Sequence, residues 1–236
     1  MTPVRLGIVD YGMGNVRSVQ KAVEAVGGRA ELASDPEALS SFDGLILPGV
    51  GHFKDGMTEL DQRGLREPLL RYAGGGDGAI TLGRPLLGVC MGMQLLFESS
   101  TESNDAADGP PTPGLGLMPG QVIAFRPDRE AASRVKVPHM GWNSLSFLQT
   151  DAGLLQGLPD GCHVYFVHGY HVPLDDRTRG VATSICRNGQ TFVATVQRGP
   201  LWAAQFHPEK SQAVGLRMLR NFMDMAETFK RDAGVR

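Results

Sequence analysis

Cys90 stands between two glycines, in Gly88-Val89-Cys90-Met91-Gly92, directly after the apolar run Pro85-Leu86-Leu87 and before the helix-like stretch Met93-Gln94-Leu95-Leu96-Phe97-Glu98. A sharp strand-to-helix turn projects its central side chain into a cleft, and glycines two positions either side leave room for the turn and for a substrate. Cys90 thus has the setting of a nucleophile; the alternative is a buried structural cysteine packing as a small hydrophobe. Far downstream, at the end of the apolar run Leu201-Trp202-Ala203-Ala204-Gln205-Phe206, stands His207-Pro208-Glu209. On an extended strand end His207 and Glu209 share a face, and Pro208 between them fixes φ, so Glu209 can hold one ring nitrogen while the other faces Cys90. Nucleophile, base and orienting carboxylate are the parts of cysteine-based acyl transfer. Read alone, His-Pro-Glu is more often a strand-ending turn than a catalytic pair. Acyl transfer also needs donors for a developing oxyanion: the Met91 N–H follows the nucleophile, and Gly49-Val50-Gly51 follows the apolar Gly44-Leu45-Ile46-Leu47, although that glycine loop by itself reads as an ordinary tight turn.

For these segments to meet, the elements carrying them must end on one edge. The first half alternates strand and helix patterns: a buried strand over 4–10, then Val16, Val19, Val23 and Val26 at helical spacing after the polar Asn15, with further strands over 29–32 and 44–47. Between those two strands, Asp35-Pro36-Glu37-Ala38-Leu39 opens a helix with a capping residue and an early proline. Such alternation implies a parallel sheet, and in open α/β sheets ligands gather beyond the carboxyl ends of the strands. Pro48-Gly49-Val50-Gly51, after Leu47, and Cys90, after Val89, then share a functional edge. Residues 101–116, rich in Asp, Pro, Gly and Ser, read as an exposed loop. Short strands follow over 121–125, 164–167, 181–185, 191–196 and 201–206. After Ser211, a candidate cap, Val214, Met218, Phe222, Met225 and Phe229 trace one face of a terminal helix. The fold class expected is α/β: an open, mostly parallel sheet flanked by helices, with additional antiparallel strands. No internal repeat or linker divides the chain, so residues 1–236 are expected to form one domain.

At 236 residues and 42% hydrophobic content the chain can bury a large core without staples. Its three cysteines, Cys90, Cys162 and Cys186, are widely spaced with no CxxC pair, which argues against a disulfide framework or zinc ribbon and for a reduced, cytoplasmic compartment. No signal-peptide core or membrane-spanning run is evident. A formal net charge of −2 offers no general attraction to phosphate backbones, so neither nucleic acid nor membrane is an expected partner.

Six segments taken together carry a family resemblance. They are Asp10-Tyr11-Gly12-Met13-Gly14-Asn15, Pro48-Gly49-Val50-Gly51-His52-Phe53, Gly88-Val89-Cys90-Met91-Gly92-Met93-Gln94, Pro138-His139-Met140-Gly141-Trp142-Asn143, Tyr165-Phe166-Val167-His168 and Gln205-Phe206-His207-Pro208-Glu209-Lys210-Ser211. In this order they resemble the class I glutamine amidotransferases and, within them, the glutaminase subunits of imidazole glycerol phosphate synthase. The resemblance implies that Cys90 attacks the side-chain carbonyl of L-glutamine, that His207, oriented by Glu209, protonates the departing ammonia, and that no cofactor or metal takes part. It further implies that Gln94 grips the backbone end of glutamine, with main-chain groups around His139 and Gly141 closing the other side. Two departures from the family pattern are visible: Met91 stands where leucine is usual, and Gly169 where a small hydroxyl residue is usual after His168. The first keeps the backbone donor; the second bears on a hydrogen bond near the substrate.

A glutaminase of this design uses essentially the whole chain, leaving no domain to consume the ammonia. In water near neutral pH ammonia is mostly ammonium, which lacks a lone pair for attack, so a sheltered route to an acceptor on a partner is expected. The resemblance identifies that partner as the (β/α)₈-barrel cyclase subunit of imidazole glycerol phosphate synthase. Asn143 and Lys210, beside the catalytic segments, are candidates for the docking face. The free chain is expected to be a poor glutaminase, because the backbone of Gly49-Val50-Gly51 must reorient before an N–H faces the oxyanion.

The other readings weighed are a catalytically silent module that keeps the fold and docks to a partner, and an amidotransferase subunit serving a different synthase. Gly12-Met13-Gly14-Asn15 resembles the start of a dinucleotide-binding loop, with Glu31 near the place of a ribose-binding acid, but Arg17 occupies the position of the third glycine. His163, His168 and His171 cluster without a cysteine or carboxylate to complete a ligand set, so packed strand histidines are expected there.

Overall fold

In a computed structural model, residues 3–74, 83–102, 109–125, 136–150 and 152–233 are described. Strand β1 (Leu6–Val9) leads into helix α1 (Val16–Ala25), β2 (Ala30–Ala33), a 3₁₀ turn (Glu37–Ser41) and β3 (Gly44–Leu47). Helices α2 (Phe53–Gln62) and α3 (Arg66–Tyr72) precede β4 (Leu86–Val89) and the short helix α4 (Met91–Leu95). There follow β5 (Phe97–Ser100), β6 (Thr112–Pro113), β7 (Met118–Ala124), β8 (His139–Ser144), β9 (Ser146–Phe147), β10 (His163–His168), β11 (Tyr170–His171), β12 (Ala182–Asn188), β13 (Gln190–Arg198), β14 (Leu201–Ala204) and helix α5 (Gln212–Ala233).

Eight strands form the main sheet in the order β2-β1-β3-β4-β14-β13-β12-β9. It is parallel from β2 through β14 and antiparallel beyond. Strands β1, β3 and β4 are buried along their whole length, which is why they read as continuous apolar runs. Their side chains alternate between two cores. Leu6, Ile8, Ile46 and Leu87 face the layer containing Val19, Val23, Met218 and Phe222, from α1 and α5. Val9, Leu45, Leu47 and Leu86 face the layer containing Met57, Leu60 and Leu69, from α2 and α3. A two-stranded sheet (β8, β10) and a four-stranded one (β11-β7-β5-β6) complete the architecture.

This register gathers the distant motifs. β14 lies parallel to β4 with Ala204 opposite Val89, and the Cys90 N–H donates to the Ala204 carbonyl at 2.8 Å. The segment ending in His207 therefore leaves the sheet beside the turn carrying Cys90, and the loop after β3 leaves on the other side of β4.

Several sequence expectations need correction. The helix-like stretch 93–98 is helical only to Leu95; Phe97 and Glu98 begin β5, whose pairing with β7 overrides local propensity. Residues 37–41 form a 3₁₀ turn in place of a helix, with Asp35 Oδ1 accepting the Glu37 N–H. The 101–116 stretch is not uniformly exposed: Glu102, Leu115 and Thr112–Pro113 are built into the structure, while 103–108 lie outside the described residues. Ser211 does not cap α5 through its hydroxyl. Its Oγ donates to the His207 carbonyl at 2.7 Å and accepts the Tyr165 N–H at 3.0 Å, tying the His207 segment to β10.

Candidate active site

Cys90 has φ 56° and ψ −113°, a conformation that few side-chain-bearing residues adopt and that marks a strained turn between strand and helix. The flanking glycines are required by contact as well as by flexibility. A Cβ on Gly92 would lie 1.8 Å from the Leu47 carbonyl oxygen, and one on Gly88 would lie 2.9 Å from the Gly92 oxygen and the Met93 Cα. The Cys90 sulfur opens onto a cavity of about 330 Å³ and lies 3.8 Å from the Val167 carbonyl. The other cysteines do not share this setting: Cys162 and Cys186 are buried away from the cavity, and burial pushes the Cys186 thiol up to about 12.

His207 lines the same cavity. Its Nδ1 meets Glu209 Oε1 at 2.8 Å, both side chains being almost wholly buried. Burial by itself lowers the imidazole pKa, but the hydrogen-bonding and electrostatic pull of Cys90 and Glu209 outweighs it and raises His207 to about 10. Nδ1 is occupied by Glu209, whereas Nε2 has no hydrogen-bond partner among the described residues, and His207 and Cys90 line the same cavity. Cys90 and His207, expected from two separate motifs, thus line one cavity, with Glu209 bonded to the far side of the ring.

Val50, Gly51 and Met91 also line the cavity, and Gly51 adopts φ +98°. Gly49 sits behind them, where a Cβ would meet the Gly92 nitrogen at 2.7 Å and Met91 Cβ at 2.9 Å. The loop is anchored at its base by the buried Tyr11, whose hydroxyl donates to the Pro48 carbonyl at 2.8 Å. Gln94 lies deep in the cavity. Its Nε2 donates to the Tyr170 carbonyl and to Gln205 Oε1, each at 3.0 Å, which leaves Oε1 as the group it can offer a ligand.

His139 and Gly141, expected on the substrate's other side, stand on β8 and do not line this cavity; His168, Gly169 and Tyr170 do. A Cβ at Gly169 would meet nothing within 4 Å among the described residues. Lys210 is exposed, whereas Asn143 turns inward to the Arg187 carbonyl and His139. Glu102, which sequence reasoning placed in an exposed loop, is buried on the cavity wall. Its carboxylate meets His52 Nδ1 at 3.0 Å and accepts the Phe53 N–H at 2.8 Å. The available signal was a lone acid just after the alternating Phe97–Ser100 pattern. Among the described residues no three His, Cys, Asp or Glu side chains gather as metal ligands.

The family model for Glutamine amidotransferase class-I matches residues 7–226. The chain belongs to the class I glutamine amidotransferase family. Among curated relatives, this amidotransferase is 47% identical to "Imidazole glycerol phosphate synthase subunit HisH" of Syntrophotalea carbinolica, over 92% of this chain and 98% of that protein. It is 44% identical to the protein of the same description from Geobacter sulfurreducens, over 94% and 99%. Among solved structures, a putative GMP synthase protein from Thermoplasma acidophilum superposes with a TM-score of 0.68 at 17% identity, covering 99% of each chain. The glutaminase domain of Trypanosoma brucei CTPS gives 0.63 at 18% identity, covering 95% of this chain and 94% of that one. At such identities these structures bear on the amidotransferase fold alone, which agrees with the sheet expected from sequence. Among the described residues no helix is long and apolar enough to cross a membrane.

Proposed function

We propose that this chain is the glutaminase subunit of an imidazole glycerol phosphate synthase in histidine biosynthesis, a single cytoplasmic amidotransferase domain over residues 1–236 that hydrolyses L-glutamine and passes the ammonia to a (β/α)₈-barrel cyclase partner. The observation that carries the chemistry is the 2.8 Å His207–Glu209 pair opening on the cavity into which the strained Cys90 turn projects. The HisH relatives, matched nearly end to end, supply the synthase.

In this reading the Cys90 sulfur attacks the side-chain carbonyl carbon of glutamine, and the carbonyl oxygen takes the negative charge, facing N–H groups of Val50, Gly51 and Met91. As the carbon–nitrogen bond breaks, His207 gives its Nε2 proton to the leaving nitrogen, which departs as neutral ammonia. A proton affinity raised by Glu209 suits it to carry that proton at neutral pH. A thioester remains on Cys90. Water, deprotonated by the now neutral His207, attacks it, releasing glutamate and restoring the sulfur. Gln94 Oε1 and the Glu102 carboxylate provide acceptors for the α-ammonium of glutamine. His139 and Gly141, lying off the cavity, act through the strands they pair with.

Capture of ammonia before it is protonated requires a partner over the cavity mouth. Support for a docking face comes from the outer side of β8, where Met140 and Trp142 are 62% and 47% exposed, and from Val50 at 43%. Lys210, which is exposed, and Asn143, next to Trp142 on β8, are the further candidates for that face. The free chain is a poor glutaminase in this account, because the loop at 49–51 takes up its donating conformation only with the partner. A glutaminase assay of wild type and Cys90→Ala, with and without the barrel partner and its nucleotide ligand, tests the proposal. Turnover confined to the wild-type complex is expected; full turnover by the isolated chain defeats the partner requirement, and turnover by Cys90→Ala defeats the mechanism.

A further inference from the structure

Beside the catalytic corner lies a buried set of rings that the glutaminase mechanism does not use. His139, on β8, and His168, at the end of β10, face each other across a strand pair in which they are direct partners. Both are buried among Phe125, Phe166 and Phe192. The carbonyl at one end of the set permits only one role, and it fixes the direction of the contacts behind it. The Tyr170 carbonyl can only accept, so His168 Nδ1, at 2.7 Å, carries a proton and donates. The neutral ring then has an unprotonated Nε2, which must accept, and the atom 3.0 Å away is His139 Nδ1; that nitrogen therefore carries the proton of its own ring. His139 Nε2 is left as an acceptor, and 3.2 Å from it is Asn143 Nδ2, a donor. The orientation of the Asn143 amide is fixed in turn, because Nδ2 also donates to the Arg187 carbonyl at 3.0 Å and Oδ1 accepts the Ser144 N–H at 2.8 Å. Burial, the leading cause at both rings, lowers His139 to about 4 and His168 to about 3, which keeps them neutral and able to accept.

The chain ends at an informative place. The Gly169 carbonyl accepts the Phe125 N–H, and the alternation of an antiparallel ladder turns the next carbonyl, that of Tyr170, away from β7. That free carbonyl takes two donors, His168 Nδ1 and Gln94 Nε2. It thereby sets the direction of the Gln94 amide and of the oxygen it presents to the cavity. Gly169 contributes no side chain of its own to hold this turn.

We propose that Asn143, His139 and His168 form a one-directional hydrogen-bond chain that positions the Tyr170 carbonyl and, through it, Gln94, so that His168 is a positioning residue for glutamine affinity. The substrate half of this inference rests on the glutaminase reading above; the chain of protons does not. His171, whose ring stacks on Phe125 at 4.2 Å and whose Nδ1 has no hydrogen-bond partner among the described residues, stands outside it.

Two measurements on the full chain test it. Nitrogen-15 NMR of the imidazoles is expected to show the Nδ1–H tautomer for both His139 and His168; an Nε2–H tautomer at either ring overturns the chain. In the complex with the cyclase, His168→Leu keeps the apolar bulk and loses the donor, and is expected to raise the KM for glutamine about tenfold with kcat changed less than about threefold. His168→Asn places an amide N–H where Nδ1 stood and is expected to recover most of that loss. Asn143→Ala, which removes no buried ring, supplies a second variant and is expected to shift KM the same way by a smaller factor. Equal KM values for His168→Leu and His168→Asn, or a fall in kcat alone, overturn the positioning role. If wild-type complex hydrolyses no glutamine, the glutaminase reading fails and takes the substrate half with it, while the tautomers still decide whether the chain exists.

Discussion

Two kinds of buried histidine lie within one fold, one protonated and the other neutral near pH 7. At His207, interaction with Cys90 and with the Glu209 carboxylate 2.8 Å away outweighs burial and raises the pKa to about 10. At His139, His168 and His171 no carboxylate of the described residues is bonded to the rings, and burial leads the shift down to about 4, 3 and 4. Burial alone makes histidine a neutral hydrogen-bonding ring; a buried carboxylate and an adjacent thiol convert it into a proton carrier. In the proposed mechanism the second kind carries the proton, and in the proposed hydrogen-bond chain the first kind shapes the pocket.

The largest effect is expected where the proton carrier loses its nucleophile. Cys90→Ala lowers glutaminase turnover by about ten thousandfold or more in the complex, read by glutamate release, while the fold is kept. Next, Glu209→Gln removes the carboxylate that separates the two kinds of histidine. It is expected to lower kcat by roughly a thousandfold, with the His207 imidazole becoming neutral at pH 7 in its NMR signals; an unchanged titration breaks the contrast. The loss of one donor in the neutral group, His168→Leu, acts on KM by about tenfold.

The smallest effects lie in stability, and the two groups give them opposite signs. For the neutral rings the folded pKa lies below the ordinary 6.5, so on acidification the unfolded chain takes up protons first; their stabilisation is full above 6.5 and is lost as the pH falls toward about 4 and below. For His207 the folded value lies above 6.5, so its stabilisation is full below 6.5 and is lost as the pH rises toward about 10. Melting temperature against pH is expected to slope down on both sides. His171→Phe flattens the acid side and Glu209→Gln the alkaline side, each by a few degrees. Exchange of those two effects between the variants contradicts the assignment.

Much of the geometry of the candidate site was legible because it is written in short local motifs. The elbow needs glycines where a Cβ would strike Leu47 or Met93, and those glycines stand beside Cys90 in the sequence. The sheet was legible because parallel strands covered on both faces must be apolar throughout, as β1, β3 and β4 are. The cavity wall was not, since it is a matter of long-range pairing. Glu102 enters the site only because β5 pairs with β7, and the helix-like letters from Met93 to Glu98 concealed that strand. The histidine chain depends likewise on the register of β8 against β10, which places His139 opposite His168 and which no local pattern near either residue encodes.

The most direct test of the central claim is covalent capture. The complex would be treated with an electrophilic glutamine analogue and each cysteine mapped by peptide mass. The account requires label on Cys90, with Cys162 and Cys186 unmodified and with labelling slowed in Glu209→Gln. Label shared among the three cysteines, or absent from Cys90 while the partner is bound, contradicts it.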